Sequence, residues 1–173
     1  TLFDLDVRLT AETADHYYDR IAERLAQPAY RPRALFERFN IEVIATTESP
    51  TDPLDAHKAI HASGWKGRVI TAFRPDPVVD PEFENFPVNI ARLSDLSGID
   101  ATNWDGYLDA LSNRRAYFKS FGATSTDHGH PTARTCDLSR AECERLFGLA
   151  ITGRCVGEEA EMFRGQMLTE MAR

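Results

Sequence analysis

The sequence predicts an α/β fold with parallel strands, either an α/β sheet or a piece of a (β/α) barrel. Three observations carry that expectation. Short β-branched runs such as "NIEVIATT" and "RVITAF" alternate with longer segments of helical periodicity, and strands joined through helical crossovers lie parallel with right-handed connections. At 173 residues, 42% of them hydrophobic and 27% charged, the chain has the size and composition of a globular domain with a real core. Finally, three strands end in polar clusters, "TTESP", "FRPD" and "TDHGHP", at the edge where parallel α/β folds place their active sites.

Taken in order, the first thirty residues read as helix, with Ala14, Tyr17, Tyr18, Ile21 and Leu25 recurring at spacings of three and four as one apolar stripe and His16 beside it as a surface residue. "RPRALFERF" follows as a short helix with Pro32 in its first turn. Ile41 to Thr47 is too short and too β-branched for a helix and is expected to be a buried strand. The turn cluster "ESPTDP" leads into the helix "LDAHKAIHASG", stopped at Gly64. The second strand is Arg68 to Phe73, and the three prolines of "RPDPVVDPEF" predict a loop without regular structure. Helices are expected over about Asn85 to Leu96 and over "NWDGYLDALSNRRAYFKSFG", then a short strand in "ATSTD". Ser139 with Glu142 three residues on forms a capping-box pattern that restarts the helix. The last helix, from about Gly157, carries Ala160, Phe163, Met167 and Met171 on one face.

A net charge of -7 with 20 scattered Lys and Arg argues against a nucleic-acid surface, which needs clustered positive charge. It leaves room for a small anionic substrate held by one or two arginines. No apolar run is long enough to span a bilayer, so no membrane partner is expected. Cys136, Cys143 and Cys155 are odd in number and spaced for neither a zinc knuckle nor a Cys-x-x-Cys pair, which favours a reduced, cytoplasmic protein. Both ends read as cut, Thr1 without a methionine and "FRGQMLTEMAR" without a helix stop, as expected of an internal piece of a longer protein. No Gly-x-Gly-x-x-Gly, Walker loop or Gly-x-Ser-x-Gly elbow supports nucleotide binding or serine hydrolysis.

Arg74 follows an apolar strand and precedes a proline that holds the local backbone extended, so it can present its planar fork to a carboxylate or a sugar hydroxyl. The competing expectation is a structural ion pair with Asp76 or a neighbour. Asp127, His128 and His130 admit three readings: part of a metal site, general acid/base groups, or a loop network whose histidines cap backbone groups. His57 and His61, four apart on one helix face, lack the glutamate of a metalloprotease motif and are expected to pack structurally.

Three stretches, "RALFERFNIEVIATTESPTDPLDAHKAI", "GRVITAFRPD" and "GATSTDHGHPTARTCDLS", together with "EMFRGQMLTEMAR", resemble the uronate (glucuronate) isomerase family of the amidohydrolase superfamily. The resemblance implies part of a (β/α)8 TIM-type barrel with additional helices: residues 1–173 as a single barrel segment with helical insertions at about 1–39 and 81–121. It implies an aldose-ketose isomerase that interconverts D-glucuronate with D-fructuronate, and D-galacturonate with D-tagaturonate, in hexuronate catabolism. A divalent metal, zinc by expectation, is implied for the full-length enzyme, with its principal ligands outside this chain, so that His128 and His130 are not equated with the family's metal pair. Arg74, Thr47 and His130 are then expected to bind substrate, and Asp127 or His128 to assist proton transfer. Glu48 departs from the aspartate many relatives carry in a Thr-Thr-Asp sequence. The only partner expected is the small-molecule uronate, with a homo-oligomer left open. The alternatives are a metal-dependent hydrolase of the same superfamily and a barrel segment without catalysis of its own.

Overall fold

A computed structural model describes residues 2–173, and the chain divides into two units. The first comprises the residues up to Ile44 together with Trp65–Arg68. Its helix α1 spans Ala14–Leu25 and not the first thirty residues. Upstream, the Thr13 hydroxyl bonds the Arg8 carbonyl and accepts from the Thr10 amide, both at 2.8 Å, a local side-chain to backbone pattern that competes with helix. The apolar stripe is not buried either: α1 has no buried residue and Tyr18 is 75% exposed. A short 3-10 turn, Pro28–Tyr30, leads into α2, Pro32–Arg38, with Pro32 in the first turn as expected. Phe36 of α2 meets Trp65 edge-on at 4.9 Å, and Trp65 donates to Glu37 at 3.1 Å.

The second unit comprises Ala45–Gly64 and Val69–Arg173. Strands β1, Ile44–Glu48, and β2, Val69–Phe73, pair side by side. Their register rises together, with the Thr46 hydroxyl on the Ile70 carbonyl and the Arg74 amide on the Glu48 carbonyl, so the pair is parallel. The expected buried strand is corrected in place and burial: β1 starts at Ile44, and Ala45 and Thr47 are exposed. Only the face carrying Thr46 and Glu48 is covered, by α3, Asp55–Ala62. The strand expected in "ATSTD" is reduced to one parallel bridge, Phe73 to Thr126, flanked by Phe73 N–H on Ser125 and Asp127 N–H on Phe73. The proline-rich loop also needs correction, because it contains a short helix α4, Asp76–Val79. Pro77 falls within its first turn, where its missing amide costs nothing, and Val78 and Val79 are buried.

Helices α5, Phe86–Ser97, and α6, Trp104–Ser120, follow within two residues of the expected limits. Two more complete the chain, α7 at Arg140–Ala150 and α8 at Glu158–Ala172. Ser139 caps α7 through the Glu142 amide at 3.3 Å, while the Glu142 carboxylate pairs with Arg145 at 2.8 Å. The core joins Phe73, Val78, Phe86, Leu93, Tyr107 and Phe163 with their neighbours on α6, α7 and α8. Tyr107 stacks on Phe147 at 4.6 Å and donates its hydroxyl to the Val78 carbonyl at 2.6 Å. Buried Arg114 of α6 donates to the Pro50 and Asp52 carbonyls, each at 2.8 Å, tying down the turn that follows β1.

Gly165 lets the backbone of residues 134–138 lie directly against α8: a Cβ there would come 2.9 Å from Cys136 Sγ and 3.1 Å from the Arg134 carbonyl. The close approach is secured by Cys136 N–H on the Gly165 carbonyl at 3.0 Å, Leu138 N–H on Gln166 Oε1 at 2.8 Å and the Thr169 hydroxyl on the Cys136 carbonyl at 2.7 Å. Among the described residues no helix is long and apolar enough to cross a membrane.

Candidate active site

Strand alternation decides what this end of the sheet presents. Thr46 shares a 2.9 Å hydrogen bond with buried His57, Thr71 donates to the Glu48 carboxylate, and Phe73 packs edge-on against Phe118 at 5.1 Å, so these side chains face the helices. Thr47 and Arg74 alternate with them and occupy the other face, where both are exposed. Glu48, turned toward His57 at 3.9 Å, is thereby on the helix side. His57 and His61 pack structurally as expected, His61 stacking on Phe121 at 5.4 Å.

Just past β2, Arg74 donates Nε–H to Asp76 Oδ2 at 3.0 Å and brings Nη1 to 3.4 Å from Asp127 Oδ2. The ion pair with Asp76 is therefore present, and it leaves the terminal edge of the guanidinium toward Asp127, with 48% of the Arg74 side chain exposed. Asp76 is buried and uses its second oxygen, Oδ1, to accept the Gly129 amide at 2.7 Å. His130 Nε2 stands 3.8 Å from the same oxygen, too far for a hydrogen bond. The His128 and His130 rings meet edge to face at 5.3 Å. The His130 side chain is only 3% exposed, yet neither of its ring nitrogens has a hydrogen-bond partner, and buried Nδ1 of His128 is also without one. Both rings border a cavity of about 260 Å³ with Thr132 and Leu168.

Burial, the largest influence, pushes the pKa of His128 below the ordinary imidazole value against the opposing charges of Asp76 and Asp127. Burial does the same to His130, reinforced by His128 and opposed by Asp76 and Asp80. Neutral rings with free nitrogen lone pairs can accept protons or hydroxyl hydrogen bonds. The structure thus brings Arg74 and Asp127 together as an ion pair and His128 and His130 together as a ring pair on the same loop, while Thr47 shares the sheet face of Arg74 but stands outside these contacts. The hub of the cluster is Asp76, which the sequence suggested only as an ion-pair partner for Arg74.

A second buried arginine supports the loop from behind. Arg164 of α8 pairs with Asp80 and Glu82, both at 2.8 Å, and with Glu161 at 3.2 Å, and Glu161 in turn accepts the Thr132 hydroxyl. Among the described residues no three His, Cys, Asp or Glu side chains converge into a group that could hold a metal ion. The donor set present here does not by itself fit a divalent metal.

The glucuronate isomerase family profile matches residues 1–173 of this chain. A uronate isomerase from Xanthomonas axonopodis pv. citri is 62% identical over 171 residues, covering 99% of this chain and 36% of that protein. A uronate isomerase from Rhizorhabdus wittichii is 62% identical over 172 residues, covering 99% and 37%. The crystal structure of glucuronate isomerase from Caulobacter crescentus superposes with a TM-score of 0.92 at 53% identity, over 99% of this chain and 36% of that one. The uronate isomerase structure from Thermotoga maritima, 20% identical, shares the fold with a TM-score of 0.85 over 98% of this chain and 37% of its own. The chain thus spans a little over a third of the length of the relatives it matches.

Proposed function

Because the chain belongs to the glucuronate isomerase family, we propose that it is a segment of an enzyme that interconverts D-glucuronate with D-fructuronate, and D-galacturonate with D-tagaturonate. One observation carries the assignment of the site: Arg74 and Asp127 meet past the carboxyl end of β2, on two segments joined by the contact of Asp76 with the Gly129 amide, next to His128 in the chain. In parallel α/β folds this edge is where substrates bind. The larger structure implied is a (β/α)8 barrel of which β1, β2 and the Thr126 bridge are consecutive elements.

The chemistry moves one proton between C2 and C1 and another between the two oxygens, through an enediol-like intermediate. Arg74, fixed through Nε, offers its terminal N–H groups to the uronate carboxylate, a pairing suited to the planar fork. His128, kept neutral by burial, or the Asp127 carboxylate takes the proton from C2 and returns it to C1. His130 and Thr47 complete the binding surface, Thr47 from the exposed face of β1 and His130 as a buried ring whose nitrogens have no hydrogen-bond partner within the protein. The divalent metal implied by the resemblance would take its ligands from outside this segment. A reduced, cytoplasmic setting agrees with the three free cysteines.

The decisive test is turnover of D-glucuronate by the full-length protein carrying this segment, followed by mass spectrometry, since isomerisation leaves mass unchanged and hydrolysis adds water. Arg74→Ala is expected to weaken transition-state stabilisation by about 2–4 kcal/mol, read as kcat/KM. Unchanged turnover and KM would remove Arg74 from the site.

A further inference from the structure

We propose that Asp76 is the positioning residue of this site, holding Arg74 with one oxygen and the Gly129 amide with the other so that guanidinium and loop meet the substrate at fixed separation. This rests on the reading of Arg74 as the uronate-binding residue. Asp76 is buried, and its two contacts come from segments far apart in sequence: Arg74 Nε at 3.0 Å, just past β2, and Gly129 N–H at 2.7 Å, fifty-three positions away. Holding Arg74 by Nε turns its Nη1 to Asp127, 3.4 Å away. The third party to the contact is Gly129 itself. A Cβ there would stand 2.8 Å from Arg74 Nη2 and 3.4 Å from Asp76 Oδ1, so a side chain at this position would displace the end of the guanidinium from its present place beside the loop.

Without Asp76, the carboxylate left beside the guanidinium is Asp127. The two would close together and occupy the edge that a uronate carboxylate needs. The Gly129 amide would at the same time lose its acceptor, releasing the loop that carries Asp127 and His128. Asp76 thus acts through Arg74 and through the loop, and touches no reacting atom.

The test is steady-state kinetics on the full-length protein carrying this segment. Asp76→Asn keeps the volume but offers one acceptor oxygen to two donors. It is expected to raise KM for D-glucuronate about 10-fold or more, with a smaller fall in kcat. In an Arg74→Ala background the same substitution should raise KM by clearly less than it does in the wild type, because the guanidinium it positions is gone and only the loop contact is left to lose. No rise in KM, or an equal rise in both backgrounds, would overturn the proposal. A wild-type protein that turns over no uronate would instead sink the reading of function. Asp76 would then be judged by amide hydrogen exchange at Gly129: faster exchange in Asp76→Ala but not in Arg74→Ala supports the anchor, and unchanged exchange refutes it. Should Asp76→Ala fail to fold, Asp76→Asn serves in the same measurement.

Discussion

Tyr107 and His130 are both aromatic, polar and nearly sealed from solvent, yet they are treated in opposite ways. Tyr107 is fully buried among Phe147, Phe163 and Trp104, and its hydroxyl is satisfied by the Val78 carbonyl. His130 has two ring nitrogens and no partner for either. An unpartnered buried polar group costs about 1–3 kcal/mol; the protein itself satisfies Tyr107, whereas it supplies no partner to His130. The aromatic core is closed on itself; the loop after Thr126 leaves the nitrogens of His130 without a partner in the protein.

The largest effect is expected in the core. Phe163→Ala should destabilise by about 3–5 kcal/mol in chemical denaturation, since the ring is fully buried against Phe86, Tyr107 and Phe147. A loss below about 1 kcal/mol would mean that the aromatic cluster is loosely packed. Next come paired substitutions that remove polarity at each site. Tyr107→Phe leaves the Val78 carbonyl unpaired and should cost about 1–2 kcal/mol, whereas His130→Leu removes only unpartnered atoms and should be neutral or stabilising by about 1 kcal/mol. Equal losses for both would erase the distinction drawn here.

A smaller effect is expected from pH. Folded His128 and His130 bind protons less readily than in the unfolded chain, whose imidazoles titrate near 6.5. Stability is therefore undiminished above that value and declines as pH falls from about 6.5 toward the lower folded pKa values, because protons favour the unfolded state. The carboxylates held low by arginine, Glu82 and Glu142, lose their contribution only further down, below about 4.5. In a His128→Gln, His130→Gln double variant the decline between pH 6.5 and 5 should flatten; an unchanged slope would show that other groups cause it. The smallest change is expected at the surface, where Glu159→Ala removes one partner of half-exposed Arg145 and should cost less than about 0.5 kcal/mol.

Sequence signals with a local mechanism were legible. Pro32 in a first turn, Gly64 after α3 and Ser139 before α7 each mark a boundary that the backbone confirms. Signals that depend on neighbours were not. The three prolines of "RPDPVVDPEF" suggested a loop because an interior proline breaks a helix, but α4 is short enough to keep Pro77 in its first turn. The burial of β1 was overstated because β-branched composition does not say which faces are covered. Past the strand ends, Arg74 lies beside Asp127, and His128 and His130 lie edge to face, whereas the cluster after β1 turns Glu48 toward His57 instead. The part played by Asp76 was illegible because it depends on the backbone amide of Gly129, and a backbone donor leaves no mark in residue type.

The loop from Asp127 to Leu138 is held at its start by Asp76, in its middle by Thr132 on Glu161, and at its end by the backbone of 134–138 pressed against Gly165 and Gln166. Its freedom is surrendered when the chain folds, at roughly 1–2 kcal/mol per residue, and not when a ligand arrives. A ligand that met a loop already ordered in this way would owe it little ordering entropy, and more of each contact would be left to appear as affinity.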